Sequence, residues 1–299
     1  MKHLFVVALP LVLLSCLSEP ANMAPTIKPR LSEPGKIIAA ATVSATAICN
    51  YDLTESVLTG SGWTKVFDEQ FSNLTAWNIW TGGAYNNELQ YYQAANLVLT
   101  GGNLNIVAKA QKITGAVTPG STTTKSFNYT SGRIESKVLY SASTATPRVR
   151  MVARIKLPAG YGMWPAFWSY GDPWPTQGEI DIVEAKGQEP STYYTNYFYG
   201  TQAGKNLVTN ATSTINSNAS LQTCWHVYEL IWEKDKLSFL LDGVVVDVKT
   251  GGYVSSLFGT KQKVTLNLAV GGNFFASLVT RNIVPGTLQV DYVKVFTTL

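Results

Sequence analysis

Arg148-Val149-Arg150-Met151-Val152-Ala153-Arg154-Ile155-Lys156-Leu157 alternates residue by residue, with Val149, Met151, Ala153, Ile155 and Leu157 on one side and Arg148, Arg150, Arg154 and Lys156 on the other. Successive side chains of an extended chain point to opposite faces, so this period of two predicts a strand with one face buried and one in water. Similar short runs occur at 63–71, 103–108, 134–139, 225–232, 264–270 and 288–296. Between 236 and 248, two β-prone runs flank Asp242-Gly243, a pair that accepts positive φ and therefore predicts a tight hairpin. Amphipathic helical spacing of useful length is hard to find. Many short strands with Gly-rich turns predict two packed antiparallel sheets or a barrel.

The composition agrees with that reading. Of 299 residues, 45% are hydrophobic and 14% charged, with 24 Gly, 8 Trp, 15 Tyr and 11 Phe. A disordered chain would be rich in charge and poor in aromatics, and a long coiled coil rich in Ala, Glu, Lys and Leu, so both are excluded. A formal net charge of +4 without a long basic run argues against a nucleic-acid footprint or a polybasic membrane patch. Two His and three Cys leave little material for a zinc cluster.

The first residues read as an address. Met1-Lys2-His3 precedes an apolar run at 4–14, too short to span a bilayer but of the length of a signal-peptide core. Residues 1–16 are therefore expected to direct export, leaving the protein secreted or at the cell surface. Leu13-Leu14-Ser15-Cys16 fits either a lipoprotein signal, with Cys16 as the lipid anchor, or an ordinary signal peptide with an incidental Cys. No other stretch has the length and apolarity of a transmembrane helix. Residues 17–60, rich in Pro, Ala, Ser and Thr, are expected to form a tether or lead-in, and residues 61–299 one large all-β domain. If Cys16 is lipidated or removed, Cys49 and Cys224 remain as a candidate disulfide in an oxidising compartment. Asn73, Asn128, Asn210 and Asn218 open Asn-x-Ser/Thr sites that matter only in a eukaryotic secretory pathway. Monomer is the default expectation for oligomeric state.

The chemistry concentrates in Gly178-Glu179-Ile180-Asp181-Ile182-Val183-Glu184, three carboxylates interleaved with apolar residues. On a regular strand residues 179 and 181 share a face, and 184 points away. One extra residue in a β-bulge around Ile182 and Val183 would bring Glu184 back to that face. Glu179 and Glu184 would then stand about four strand steps apart, roughly 13 Å between Cα atoms. Glu side chains leaning together can close most of that gap toward the ~5–5.5 Å carboxyl separation of a retaining glycosidase. Asp181, between them, could orient the nucleophile and keep the acid protonated by like-charge proximity. An exposed acidic strand face and a calcium site are the competing readings. Upstream, Trp164, Trp168 and Trp174 lie within 15 residues of Glu179. Such rings serve either as core or as flat faces for sugar rings.

Several blocks in this order give the chain a resemblance to glycoside hydrolase family 16, and within it to laminarinase-like endo-β-1,3-glucanases. They are Val66-Phe67-Asp68-Glu69-Gln70-Phe71, Asn86-Asn87-Glu88-Leu89-Gln90-Tyr91-Tyr92, Ser131-Gly132-Arg133-Ile134, Trp164-Pro165-Ala166-Phe167-Trp168, Trp174-Pro175-Thr176-Gln177-Gly178-Glu179-Ile180-Asp181, Leu266-Asn267-Leu268-Ala269-Val270-Gly271-Gly272-Asn273 and Val290-Asp291-Tyr292-Val293-Lys294-Val295. The resemblance covers most of 63–299 and implies a β-jelly-roll sandwich whose concave sheet forms an open polysaccharide cleft. It implies Glu179 as nucleophile, Asp181 as its assisting carboxylate and Glu184 as general acid/base. Trp164, Trp168 and Trp174 match the family's cleft aromatics, and Asn87 and Arg133 match polar sugar-binding positions. Asp291 matches a position that holds a structural calcium in many relatives; no organic cofactor or catalytic metal is implied.

The expected activity is therefore endo-acting, retaining hydrolysis of β-1,3-glucan or mixed-linkage β-glucan. Two departures keep alternatives open. Residues 193–200 lack the His that relatives often carry on the strand after the catalytic one, so transglycosylation remains a competitor to hydrolysis. Phe274-Phe275 follows Gly272-Asn273 where Trp-Pro-Gly is common, which bears on one end of the cleft. A non-catalytic lectin-like carbohydrate-binding protein is the third reading; the presence of both Glu179 and Glu184 argues for the enzyme.

Overall fold

The alternating stretch 148–157 supplies the strand Arg148–Lys156, whose Val149, Met151, Ala153 and Ile155 are buried in the core. A computed structural model describes residues 41–208 and 211–299. The expected signal segment with Cys16, the lead-in up to residue 40, and Asn210 lie outside the described residues. Arg148–Lys156 sits inside an outer sheet ordered Val244–Thr250, Lys236–Leu241, His226–Trp232, Arg148–Lys156, Thr287–Thr298, Asn103–Val107 and Leu97–Thr100, with Thr64–Glu69 also paired to Thr287–Thr298. The hairpin at Asp242-Gly243 is present, with φ of 50° and 78° at its two turn residues. Two successive positive φ values match the twist of the flanking strands, which is why a short polar residue and a Gly stand there.

A second sheet lies against the first, ordered Ala41–Ala45, Ser213–Ser217, Thr192–Phe198, Glu179–Ala185, Met163–Tyr170, Gln262–Val270, Arg133–Tyr140 and Trp77–Ile79. Its first pair is parallel and the others are antiparallel. A smaller sheet of Gln90–Tyr92, Thr124–Ser131 and Lys109–Ala116 flanks it. Between the large sheets, Phe167, Ile180, Val183, Leu266 and Leu268 meet Met151, Tyr228, Leu230, Phe239 and Val293. Each such side chain, once removed from water, contributes about 1.5–3 kcal/mol. The result is an all-β jelly-roll sandwich with an open concave cleft on the second sheet. No helix among the described residues is long and apolar enough to cross a membrane.

The outward face of Arg148–Lys156 departs from the sequence expectation, because it too is covered. Val152, Val227, Tyr292 and Phe296 form a second apolar cluster with Leu58 and Trp63. Leu58 belongs to the short helix Glu55–Gly60, so residues 41–60, read from sequence as part of a lead-in, pack onto the body. Ala41–Ala45 adds an edge strand to the cleft sheet, and a Cys49–Cys224 disulfide pins the connection across 175 residues of sequence. Beneath this cover Arg150 is buried and pairs with Glu229 at 2.6 Å. A helix of six residues is too short to print a period on the sequence.

Candidate active site

The strand Glu179–Ala185 serves two faces: Ile180, Ile182, Val183 and Ala185 belong to the core, whereas Glu179, Asp181 and Glu184 line the cleft. Glu179 stands opposite Tyr170 and Glu184 opposite Ala166, so a five-residue step on one strand matches a four-residue step on its neighbour. On the other side Asp181 faces Asn196 and Glu184 faces Tyr194, again with a register shift between them. The extra residue falls at Ile182-Val183, where the spacing of the carboxylates required a bulge. Residues 166 and 170 have the same parity, so Glu184 returns to the face of Glu179 about 13 Å along the strand.

Both catalytic-type glutamates are held by indoles. Trp174 Nε1 donates to Glu179 Oε2 at 2.6 Å, and Trp164 Nε1 donates to Glu184 Oε1 at 3.0 Å. Trp164 and Trp168 reach the cleft from one face of Met163–Tyr170, while Trp174 sits in the turn that leads to Glu179. Trp168 Nε1 donates to Asn267 Oδ1 at 2.7 Å, and its ring stacks on Tyr170 with centroids 4.8 Å apart. Beside Glu184, Phe274 stacks on Trp164 at 4.8 Å and Tyr194 meets Phe274 edge-on at 5.4 Å. The unusual Phe274 therefore covers an indole face that would otherwise be open to a sugar.

The electrostatics follow from three carboxyls sharing one partly dehydrated wall. Burial, then the charge of Glu184, pushes Glu179 up to about 8, against the pull of the Trp174 N–H and of Arg133. Burial pushes Glu184 up to about 7, with Trp164 opposing and the charge of Glu88 adding to the rise. Asp181 is held well above the usual carboxylate range by burial and then by the charges of Glu179 and Glu184. No cation meets the three within ion-pair distance among the described residues, so nothing offsets burial fully and all three are held above the ordinary carboxylate range. Trp174 N–H, Arg133 and Asp181 all pull Glu179 down against burial, whereas at Glu184 the Trp164 N–H alone does so. Asp181 Oδ2 has no donor of its own, and as a protonated carboxyl Asp181 can donate to Glu179.

A supporting network surrounds this trio. Glu88, buried, accepts from Gln90 Nε2 at 2.6 Å and from Tyr92 Oη at 3.1 Å; Asn267 Nδ2 in turn donates to Tyr92 Oη at 3.1 Å. Gly272, at φ 100°, lets Glu88 and Trp164 pack together, because a Cβ there would lie 3.1 Å from Trp164 Cζ3 and 3.3 Å from Glu88 Cγ. Arg133 is buried as well: its Nη2 donates to Glu135 Oε1 at 2.7 Å and to Tyr170 Oη at 3.1 Å, and its guanidinium lies 4.0 Å from the Trp80 ring centroid and 4.9 Å from that of Trp168. Its Nε and Nη2 donors are thus engaged within the cleft wall. Asn87, exposed at φ 56°, donates through Nδ2 to Asn273 Oδ1 at 2.8 Å, on the rim beside Glu88. Asp291 stands apart on the outer sheet, where Arg154 Nη1 donates to its Oδ2 at 2.6 Å while Arg154 Nε holds the Tyr51 carbonyl at 2.8 Å. No group of three or more His, Cys, Asp or Glu gathers for a metal among the described residues. The guanidinium occupies the carboxylate, so these residues do not fit the expected calcium.

Sequence reasoning did not single out Glu88, Glu135, Tyr170, Tyr194 or Asn267. Parity gives the signal in part, since Tyr170 lies two residues beyond Trp168 and Glu135 two beyond Arg133. Glu88 had no such signal, because a loop carries it to the site.

Comparison with known proteins matches this arrangement. The sequence profile described as Glycosyl hydrolases family 16 matches residues 79–273. A glucan endo-1,3-beta-glucosidase of Cryptopygus antarcticus is 30% identical, with 79% of this chain and 92% of that protein covered. Glucan endo-1,3-beta-glucosidase A1 of Niallia circulans is 29% identical over 79% of this chain, which spans only 38% of that longer protein. Among solved structures, the endo-beta-1,3-glucanase from Pyrococcus furiosus superposes with a TM-score of 0.66 at 30% identity, covering 79% of this chain and 95% of the other. A jelly-roll cleft with a bulged acidic strand, together with a profile match that runs through that strand, makes this chain a member of glycosyl hydrolase family 16.

Proposed function

We propose that the protein is an endo-acting, retaining β-glucanase that cleaves β-1,3-glucan of the laminarin type or mixed-linkage β-glucan by double displacement. The observation that carries the reading is the bulge at Ile182-Val183, which sets Glu179 and Glu184 on one cleft face, each tied to an indole N–H. The names of the glucanase relatives supply the substrate class, and the open, aromatic-walled cleft suits internal attack on a chain.

In the first step Glu184, in its protonated form, gives its proton to the glycosidic oxygen as Glu179, in its ionised form, attacks the anomeric carbon. Asp181 stabilises and orients the Glu179 carboxylate through the proton it keeps. In the second step Glu184, now ionised, removes a proton from water, which displaces Glu179 and regenerates the β anomer. Two inversions give net retention. The Cys49–Cys224 disulfide supports an exported protein.

The test is Glu179→Gln. The variant is expected to keep its fold by circular dichroism and to release no reducing ends from laminarin; full activity in the folded variant overturns the assignment. Early wild-type products should carry the β anomer by proton NMR. Chains longer than the substrate at high glucan concentration would instead assign transglycosylation.

A further inference from the structure

Glu179, Tyr170 and Lys263 stand directly opposite one another on three successive strands of the cleft sheet. Lys263 therefore lies two inter-strand steps from the nucleophile, about 10 Å at ~4.8 Å per step. Its Nζ sits 4.4 Å from the Tyr170 ring centroid, pairs with Glu135 Oε2 at 2.9 Å and reaches the Asp172 carboxylate at 2.8 Å. At this place the cleft opens into a pocket of about 340 Å³, lined among others by Asn78, Lys137, Asp172, Gln177, Lys261 and Lys263. That volume suits a ligand the size of one substituted sugar.

The charge of the pocket is one-sided. Three ammonium groups line it against one carboxylate, and Lys137 and Lys261 form no ion pair among the described residues. Asp172, with its side chain 66% exposed, is a partner that Lys263 can exchange for an incoming anion. Nothing in the double-displacement chemistry uses these lysines, and a neutral glucan gives them nothing to neutralise. A polysaccharide crossing the strands from Glu179 toward Arg133–Tyr140 would pass over them.

We propose that this pocket is a distal subsite for an anionic substituent, a carboxylate or a sulfate ester, on the glucan chain. The proposal rests on the reading of the cleft as a β-glucan site and extends its substrate class from neutral chains to chains with acidic groups. Lys137 and Lys261 make the new contacts, and Asn78 and Gln177 offer hydrogen bonds to the same sugar. Lys263 keeps its tie to Glu135.

The experiment compares wild type with Lys137→Gln/Lys261→Gln on three soluble polymers: neutral laminarin, carboxymethylated β-1,3-glucan and sulfated laminarin. On an anionic polymer the double variant should show a KM raised roughly 3–10-fold, the scale of two exposed charge contacts, with kcat and the neutral laminarin constants unchanged. The wild-type advantage on the anionic polymer should shrink as salt rises to several times physiological strength. A response to the carboxymethylated polymer alone assigns carboxylate, and to the sulfated one alone sulfate ester; either supports the subsite. Equal changes on neutral and anionic polymers, or no change on any, overturn it. If wild type hydrolyses none of the three, the glucanase reading falls. The subsite is then judged by retardation in native gels cast with each anionic polymer, relative to polymer-free gels. Weaker retardation of the variant supports it, and equal retardation overturns it.

Discussion

Glu135 and Glu179 lie on the same sheet, both largely removed from water, yet they titrate in opposite directions. Burial alone would raise both. At Glu135 the charges of Arg133 and Lys263 outweigh burial, and the carboxyl is held below its ordinary value. At Glu179 burial is joined by the charge of Glu184, and the Trp174 N–H, a more remote Arg133 and the Asp181 hydrogen bond oppose it without prevailing. The cleft sheet thus has a cation-rich end, where carboxylates are matched and structural, and an acidic end, where they are left unmatched. Unmatched buried carboxyls cost stability, and a fold tolerates them where the retained proton has work in the chemistry. On the outer sheet Glu229 meets the single cation Arg150 at 2.6 Å, and there burial outweighs the pair, so the carboxyl is held above its ordinary value.

The largest effect should come from the acidic end. Glu184→Gln is expected to lower kcat/KM on laminarin by roughly 10²–10⁴-fold, the range of a lost general acid. Hydrolysis of an aryl laminarioside whose leaving group departs without a proton should form the glycosyl-enzyme at near wild-type rate. Equal losses on both substrates would remove Glu184 from the proton-transfer role.

At the cation-rich end the expected effect is on stability. Arg133→Met leaves Glu135 with Lys263 and the Tyr170 hydroxyl and should cost about 1.5–3 kcal/mol at neutral pH, the scale of hydrogen bonds lost to a charged group that keeps one cation. The folded pKa of Glu135 is depressed, so its contribution is present above the unfolded value and is lost as pH falls through the folded one. The deficit of the variant, read from urea unfolding, should therefore narrow from pH 7.5 to pH 3.5. A deficit that stays constant with pH would mean that Arg133 acts by packing against Trp80 and Trp168 rather than by charge.

This contrast was only half legible in the sequence. Arg148–Lys156 was readable because one face carries core residues and the other long cationic side chains. The strand Met163–Tyr170 was not, since Trp164, Trp168 and Tyr170 on its cleft face are as apolar in composition as Met163 and Phe167 on its core face. A surface built to take sugar rings resembles a core in a binary pattern. The bulge could be foreseen because three carboxylates at 179, 181 and 184 make sense on one face only if parity is repaired. The partners of Arg133 could not, because Glu135 and Tyr170 meet it through strand register between segments far apart in sequence. The helix Glu55–Gly60 was hidden by its length, and Glu88 by the loop that carries it.

Glu88 offers the finest probe of the unmatched end. Its carboxyl is buried against Gln90 and Tyr92 and packs with Trp164 over Gly272, so its charge reaches Glu184 across the indole that holds the acid. The other charged groups near Glu184 are Glu179 and Asp181 on its own strand, and the Lys186–Glu189 pair beyond Tyr194. Glu88, which lies off the strand Glu179–Ala185, is the charge that adds to the rise of the Glu184 pKa. Glu88→Gln keeps the shape and an acceptor for the neighbouring donors but removes the charge. Stabilisation of the protonated acid then weakens, the Glu184 pKa falls, and the limb of the kcat/KM profile on laminarin that Glu184 sets should move to lower pH. The other limb, set by the Glu179–Asp181 pair, should move much less. A purely structural Glu88 would lower activity evenly at all pH values and leave both limbs in place. One limb shifted with the other left in place is the signature that separates through-space charge from packing.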